Sequence, residues 1–412
     1  MRKFFVACAF ATLASVSTLL AQTPIKIPFW YSVGGAVKQT IETRIKEYNS
    51  SQSKYQIEGV FAGSYEESVQ KVIAAVVAGD APVLIHQAHV YAPQLVDAGA
   101  FEALDAYIAK DKTFQRDQFI ESLFQANVYK GKTWGIAFNC STPIMFYNKD
   151  MFRKAGLDPE KFPDTWQGVY EASKKIAKLG PDTYGLTLDY GSGWILEALV
   201  WQFGAEWLAK DNSKVLWTEP AHIEAVKFFK RMIDEKVAVY KGADAALLSQ
   251  KAAIAMNSTV NLSKWGKSAT FNLGTAPFPS ATKKSVPVGG GSLYMFKRNP
   301  QKVKDGAWDF IKFMTTKENQ SKWAEATGYF TARKDSKLDL DKGLLLKDKR
   351  YNTTYLQLGY IRPENETWYP QFLNIRTIYN EAWDKIMLQN SDVKATLEEA
   401  SAKASAVIKE NS

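Results

Sequence analysis

The chain has 412 residues, 52 Lys and Arg against 43 Asp and Glu, and a formal charge of +9, with 46% of its residues hydrophobic. That is enough chain and enough apolar material for two ordinary domains with their own cores, which excludes a small stapled scaffold and a disordered polymer. The basic excess forms no block but is spread along helical faces, which argues against a nucleic-acid partner and leaves room for an anionic ligand.

Residues 1–21 read as a secretory signal peptide. Arg2 and Lys3 precede an apolar run from Phe4 to Leu20, diluted by Thr12, Ser15, Ser17 and Thr18, and cleavage is expected near Ala21. The run is short for a membrane anchor. Its removal leaves 50 basic residues against 43 acidic, a charge of +7, and discards Cys8, so Cys140 becomes the only thiol and no internal disulfide can form. The expected product is a soluble periplasmic protein held together by its cores.

Strands then alternate with amphipathic helices. Ile25 to Tyr31 is a strand, the repeat Val37, Ile41, Ile45, Tyr48 a helix, and Tyr55 to Phe61 the next strand. A helix over Glu66–Val77 and a buried strand at Val83–Ile85 follow. This order predicts a mainly parallel sheet with helices on both faces. The segment Ala137-Phe-Asn-Cys-Ser-Thr-Pro-Ile-Met-Phe-Tyr-Asn-Lys-Asp150 runs from a small polar cluster into an apolar strand and reads as a crossing between domains, with Ser141 and Thr142 at the junction. A second unit therefore begins near Phe138. It holds a helix capped by Asp164 or Thr165, another opened by Pro220, and a buried strand Ala252–Met256, after which Asn257-Ser258-Thr259 caps a further helix. Val286 to Phe296, with its triple glycine, reads as the return crossing. The expected division is residues 22–137 with 287–335 as one lobe, and 138–286 with 336–412, mostly helical at its end, as the other.

Three pieces carry a resemblance: Pro28-Phe29-Trp30 leading to a helix, the crossing at Phe138–Asp150, and Gly289-Gly-Gly-Ser292. With Gly63-Ser-Tyr-Glu66, Ala155-Gly-Leu-Asp-Pro159, Gly193-Trp194, Thr327-Gly-Tyr329 and Asn374-Ile-Arg376, the chain resembles the family 1 extracellular solute-binding proteins of ABC importers, and among them the glycerol-phosphate binders. The resemblance runs from about Ile25 to about Met387 and implies a two-lobed α/β fold of the periplasmic-binding-protein kind (type II, maltose-binding-protein-like), with the ligand enclosed between the lobes. Carried over by position, it implies Ser141, Ser258, Gly290 and Arg376 on the phosphate side, and Tyr65, Trp194 and Tyr329 on the glycerol side. His89 stands where an acidic ligand residue is expected, and Tyr190-Gly191-Ser192 where a second aromatic is expected. It further implies a monomer that works with ABC permease subunits and their cytoplasmic ATPase, without a cofactor.

The residue types agree with those roles, each beside a plainer reading. Ser258 between strand and helix suits an anion at a helix N-terminus, or a simple cap. Gly290 lets a backbone N–H approach an anion, or marks a hinge; no Gly-Lys-Ser/Thr follows, so it is not a nucleotide loop. Arg376 offers a planar fork for two phosphate oxygens. His86 and His89, three apart, could share a helical face, but no third metal ligand has suitable spacing; His89 as a cation would favour an extra negative charge on the ligand. Cys140 lacks a patterned partner and reads as structural. A receptor for glycerol 3-phosphate or a glycerophosphodiester, a sugar receptor of the same fold, and a secreted hydrolase all stay open, the last lacking an evident acid–base pair.

Overall fold

The strand–helix alternation of the first hundred residues builds one half of the molecule in chain order. In the computed structural model, which describes residues 23–189, 193–362 and 365–410, β1 (Ile25–Ser32), α1 (Gly35–Ser51), β2 (Tyr55–Gly63), α2 (Tyr65–Ala78) and β3 (Leu84–Ala88) follow the expected sequence. Both the signal segment 1–21 and Tyr190–Ser192 lie outside the described residues. β1 pairs in parallel with β2 and β3, and buries Ile27, Phe29 and Tyr31 beneath Val37, Ile41 and Tyr48 of α1. α2 starts on a capping box: the Ser64 hydroxyl accepts the Glu67 N–H and the Glu67 carboxylate accepts the Ser64 N–H at 2.8 Å. That box fixes Tyr65 in the first turn.

The chain continues through β4 (Gly135–Ser141), β5 (Pro143–Asn148), α3 (Trp166–Ala177), β6 (Tyr184–Leu188), α4 (Trp194–Gln202), α5 (Pro220–Asp234), β7 (Ala238–Tyr240), β8 (Ala252–Ser258), α6 (Asn261–Ser268) and β9 (Leu273–Ala276). It returns with β10 (Gly289–Met295), α7 (Gln301–Met314) and α8 (Lys317–Thr327), and ends on α9 (Phe372–Leu388) and α10 (Val393–Glu410). Two five-stranded sheets result, ordered β2-β1-β3-β10-β4 and β9-β5-β8-β6-β7.

Neither sheet is mainly parallel, contrary to the expectation from alternation alone. Each has two parallel and two antiparallel pairings, because β10 in the first and β5 in the second run against their neighbours. These are the strands the chain enters from the other lobe. A strand such as β4 ends at the interlobe side, at Ser141, so the next strand must start there and run outward. The change of sheet falls at Thr142, so Phe138–Ser141 pair within the first sheet rather than opening the second unit. Thr142 is fully buried and ties the crossings together. Its hydroxyl donates to the Pro287 carbonyl (3.1 Å), and Gln357 Nε2 donates to that hydroxyl (3.1 Å) and to the Pro143 carbonyl (2.7 Å).

The C-terminal stretch is helical, as expected, but not confined to the second lobe. Trp368 packs into the core of Val72, Ile85, Phe101 and Tyr294, stacks on Tyr129 with ring centroids 4.8 Å apart, and donates from Nε1 to the Ala126 carbonyl (3.2 Å). An amphipathic pattern reports which face is buried, not against which lobe. Among the described residues, no helix is long and apolar enough to cross a membrane.

Candidate functional site

Parallel strands present their carboxyl ends to one side, where ligands of open α/β sheets gather. In both lobes that side is the cleft. β3 leads there to His89, β4 to Ser141 and β8 to Ser258, while α2 and α4 start there with Tyr65 and Trp194. Tyr329 follows α8, its neighbour Phe330 donating from its N–H to the Cys140 carbonyl (3.0 Å). Arg376 projects from the first turns of α9. All eight sequence-selected residues, Tyr65, His89, Ser141, Trp194, Ser258, Gly290, Tyr329 and Arg376, line one cavity of ≈ 250 Å³.

Tyr65 belongs to a buried polar network. Asn139 Nδ2 donates to its hydroxyl (3.0 Å), and Asn139 Oδ1, which can only accept, lies 2.5 Å from His86 Nε2. The proton of His86 therefore sits on Nε2. Burial pushes the Tyr65 phenol well above its usual range and Tyr329 up to about 12, so both remain protonated donors at neutral pH. Gly290 has φ +97° in β10, opposite Cys140 of β4, and a Cβ there would stand 1.9 Å from the Asn139 carbonyl oxygen. Its neighbour Gly289 lies against Ser141 Oγ, 2.7 Å from where a Cβ would be. Only glycine allows β10 to approach β4 this closely.

Arg376 is 7% exposed, within the cavity wall rather than on the outer surface. Its Nη2 donates to Glu197, which is buried in α4, and its guanidinium lies over the Phe372 ring at 4.5 Å. Its Nε has no hydrogen-bond partner among the described residues. The sequence reading missed Glu197 and Tyr91, and weighed His86 only as a metal ligand. Glu197 had a signal: it is the lone acid in the apolar run Trp194–Trp201.

Three readings change. Ser258 does not cap a helix; α6 begins at Asn261 behind Val260, and the Ser258 hydroxyl accepts the Val260 N–H (3.3 Å) as the chain turns out of β8. His86 and His89 do not share a helical face, since His86 lies in β3 and His89 opens a short 3-10 turn. Among the described residues no group of three or more His, Cys, Asp or Glu could hold a metal. Nor is His89 a cation in this state. Burial, reinforced by the Arg376 charge and opposed by Glu197, lowers it to about 4. Cys140 is buried in β4, and burial pushes its thiol up to about 12, which leaves it unreactive.

The three histidines give a stability prediction. Burial lowers His86 to about 4, His89 to about 4 and His222 to about 3. Because the folded values lie below the unfolded 6.5, the unfolded chain takes up protons first as pH falls. Stability is thus complete above about pH 6.5 and is lost progressively toward pH 4, by roughly 2 kcal/mol per histidine at pH 5. The melting temperature should fall steeply between pH 7 and 5. His222→Gln, outside the cavity lining and packed on the Tyr379 hydroxyl, should remove about a third of that slope.

Two α/β sheets joined by crossings bundled at Thr142, with a cavity walled by both halves, define a two-lobed α/β protein with a cleft between the lobes. The family model for bacterial extracellular solute-binding proteins matches residues 43–344, and the chain belongs to that family, the solute-binding proteins of ABC transport. It is 26% identical over 368 residues to the sn-glycerol-3-phosphate-binding periplasmic protein UgpB of Escherichia coli K12, which covers 82% of this chain and 81% of that protein. Among solved structures it resembles UgpB from Mycobacterium tuberculosis in complex with glycerophosphocholine (TM-score 0.84, 24% identity, 94% of this chain and 98% of the other). It also resembles the cyclic alpha-maltosyl-1,6-maltose binding protein from Arthrobacter globiformis (TM-score 0.80, 22% identity, 94% and 100%). These likenesses to solved structures establish the maltose-binding-protein-like fold.

Proposed function

We propose that this chain is the periplasmic receptor of an ABC importer for a phosphate ester of glycerol, either glycerol 3-phosphate or a glycerophosphodiester. In this reading residues 1–21 direct export, and the mature monomer encloses its ligand without turning it over. The closed receptor then docks on permease subunits that are served by a cytoplasmic ATPase. The carrying observation is the convergence of Arg376, Ser141, Ser258 and Gly290, from four separate segments, on the same cavity as Tyr65, Trp194 and Tyr329. The first four supply a bidentate cation, two hydroxyls and a closely approaching backbone for an oxyanion. The aromatics suit the C–H and hydroxyl faces of a short polyol. Both lobes contribute, so the ligand shifts the hinge equilibrium by satisfying its contacts only when the lobes close.

A neutral-sugar receptor is the second reading, favoured by the maltose-type neighbour. The cavity weighs against it. At ≈ 250 Å³ it falls just under the ~300–1,000 Å³ usual for ligand pockets, a size for a small ligand rather than an oligosaccharide. Isothermal titration calorimetry of the purified protein separates the two. Glycerol 3-phosphate or a glycerophosphodiester should give saturable heat and maltose none. Heat with maltose and with no phosphate ester would reverse the assignment, and release of alcohol from a glycerophosphodiester would reinstate a hydrolase.

A further inference from the structure

Arg376 does not face the cavity alone. Glu197 lies behind it at 1% exposure, on a helix whose other residues, Ile195 to Gln202, are buried and almost all apolar. A carboxylate in such surroundings is costly unless paired, and the Arg376 guanidinium pairs with it. The pairing has two consequences for an anion arriving from the other side. It pins the fork, leaving Nε without a hydrogen-bond partner among the described residues. It also cancels much of the cationic charge that a phosphate would meet.

Among the described residues, the other groups lining the cavity restore no positive charge. His89, across from Arg376, is buried and neutral. Tyr65 and Tyr329 are protonated phenols. Glu66, in the wall, adds a negative charge and accepts from the Tyr91 hydroxyl (2.9 Å). With the Arg376–Glu197 pair neutral as a unit, a singly charged phosphodiester leaves one uncompensated negative charge in the cavity, whereas a doubly charged phosphate monoester leaves two.

We propose that Glu197 is a specificity-determining residue: by holding Arg376 and offsetting its charge, it makes the cleft prefer singly charged phosphodiesters to doubly charged phosphate monoesters. This rests on the phosphate-ester reading above. It assigns to a residue outside the cavity wall the choice between two ligands that this reading leaves equal.

Calorimetry with two probes tests it. One is sn-glycero-3-phosphoglycerol, a diester with one negative charge at any neutral or mildly acidic pH; the other is glycerol 3-phosphate, whose second proton leaves near about pH 6. The wild type should bind the diester about tenfold more tightly than the monoester at about pH 7.5, a gap that narrows toward about pH 5.5 as the monoester loses a charge. Any drift with pH common to both esters reports the protein rather than the ligand, so only the difference between the esters counts. Glu197→Gln, which keeps shape and hydrogen bonding, should shift the ratio toward the monoester by at least about tenfold. Glu197→Asp, which keeps the charge, should preserve the preference. If Glu197→Gln weakens both esters equally, or if the wild-type preference ignores the protonation of the monoester, the proposal is wrong. Should Glu197→Gln fail to fold, the wild-type pH series and Glu197→Asp still decide it. Heat from neither ester with the wild type would remove the phosphate-ester reading itself, and the proposal with it.

Discussion

Arg376→Ala should give no measurable heat with any glycerol phosphate ester and, unlike most binding-site truncations, should also lower the unfolding midpoint. The first effect follows from loss of the cation in the cavity wall. The second follows from what remains: Glu197, almost wholly buried in α4, loses the cation that offsets its charge. Breaking one side of a buried pair typically costs ~3–5 kcal/mol, most of it the stranded charge rather than the lost bond. The double variant Arg376→Ala with Glu197→Gln distinguishes the two roles. Neutralising the stranded carboxylate should restore a large part of the midpoint, while binding should stay absent. Thermal unfolding of the four proteins in the cycle, with calorimetry on each, checks both halves. Retained phosphate-ester binding in Arg376→Ala would place the oxyanion elsewhere in the cleft.

The dual role explains why some of this site was legible in the sequence and some was not. Residues whose role is local could be read locally. The glycines that open β10, the Ser-Tyr-Glu start of α2 and the strand-ending serines all announce a turn or a terminus, and turns at the ends of strands are where α/β proteins bind. The eight selected residues were chosen partly on their resemblance to a family, and they share one cavity. What sequence patterns could not supply was pairing across the fold. Glu197 and Arg376 are 179 positions apart and meet only because α4 and α9 both pack on α5. The His86–Asn139–Tyr65 network likewise joins β3, β4 and α2. Strand direction was misjudged for a related reason. Alternation of strands and helices predicts parallel pairing as long as the chain remains in one sheet, and this chain changes sheets at Thr142 and again before Gly289. Ser258 shows the limit at short range. Asn-Ser-Thr after a strand reads as a helix cap, but the chain turns for two more residues before α6 begins at Asn261.

Gly290→Ala should be the most damaging single methyl group that can be added to the binding site. The left-handed backbone at φ +97° disfavours any side chain, and the added carbon would lie 1.9 Å from the Asn139 carbonyl oxygen, a main-chain atom of β4 that no rotamer change can move aside. Strain of ~1–3 kcal/mol for the dihedral and a similar overpacking cost imply destabilisation on the order of 3 kcal/mol or more. Gly35→Ala is the matched control. Gly35 also has positive φ, +62°, but a Cβ there meets nothing within 4 Å, so that variant incurs the dihedral cost alone. If collision with β4 is the cause, the Gly290 variant should melt well below the Gly35 variant, and the gap reports the collision. Relief requires β10 to move away from β4, and that movement carries Gly289 off Ser141 and shifts Asn139, which holds the Tyr65 hydroxyl. Affinity for the phosphate ester should therefore drop by at least about tenfold in Gly290→Ala, the equivalent of about 1.4 kcal/mol, and stay unchanged in Gly35→Ala, measured by calorimetry below both melting temperatures. Equal midpoints for the two variants would mean that β4 yields freely, and that the triple glycine serves the bend of the crossing rather than the close approach of two strands beneath the ligand.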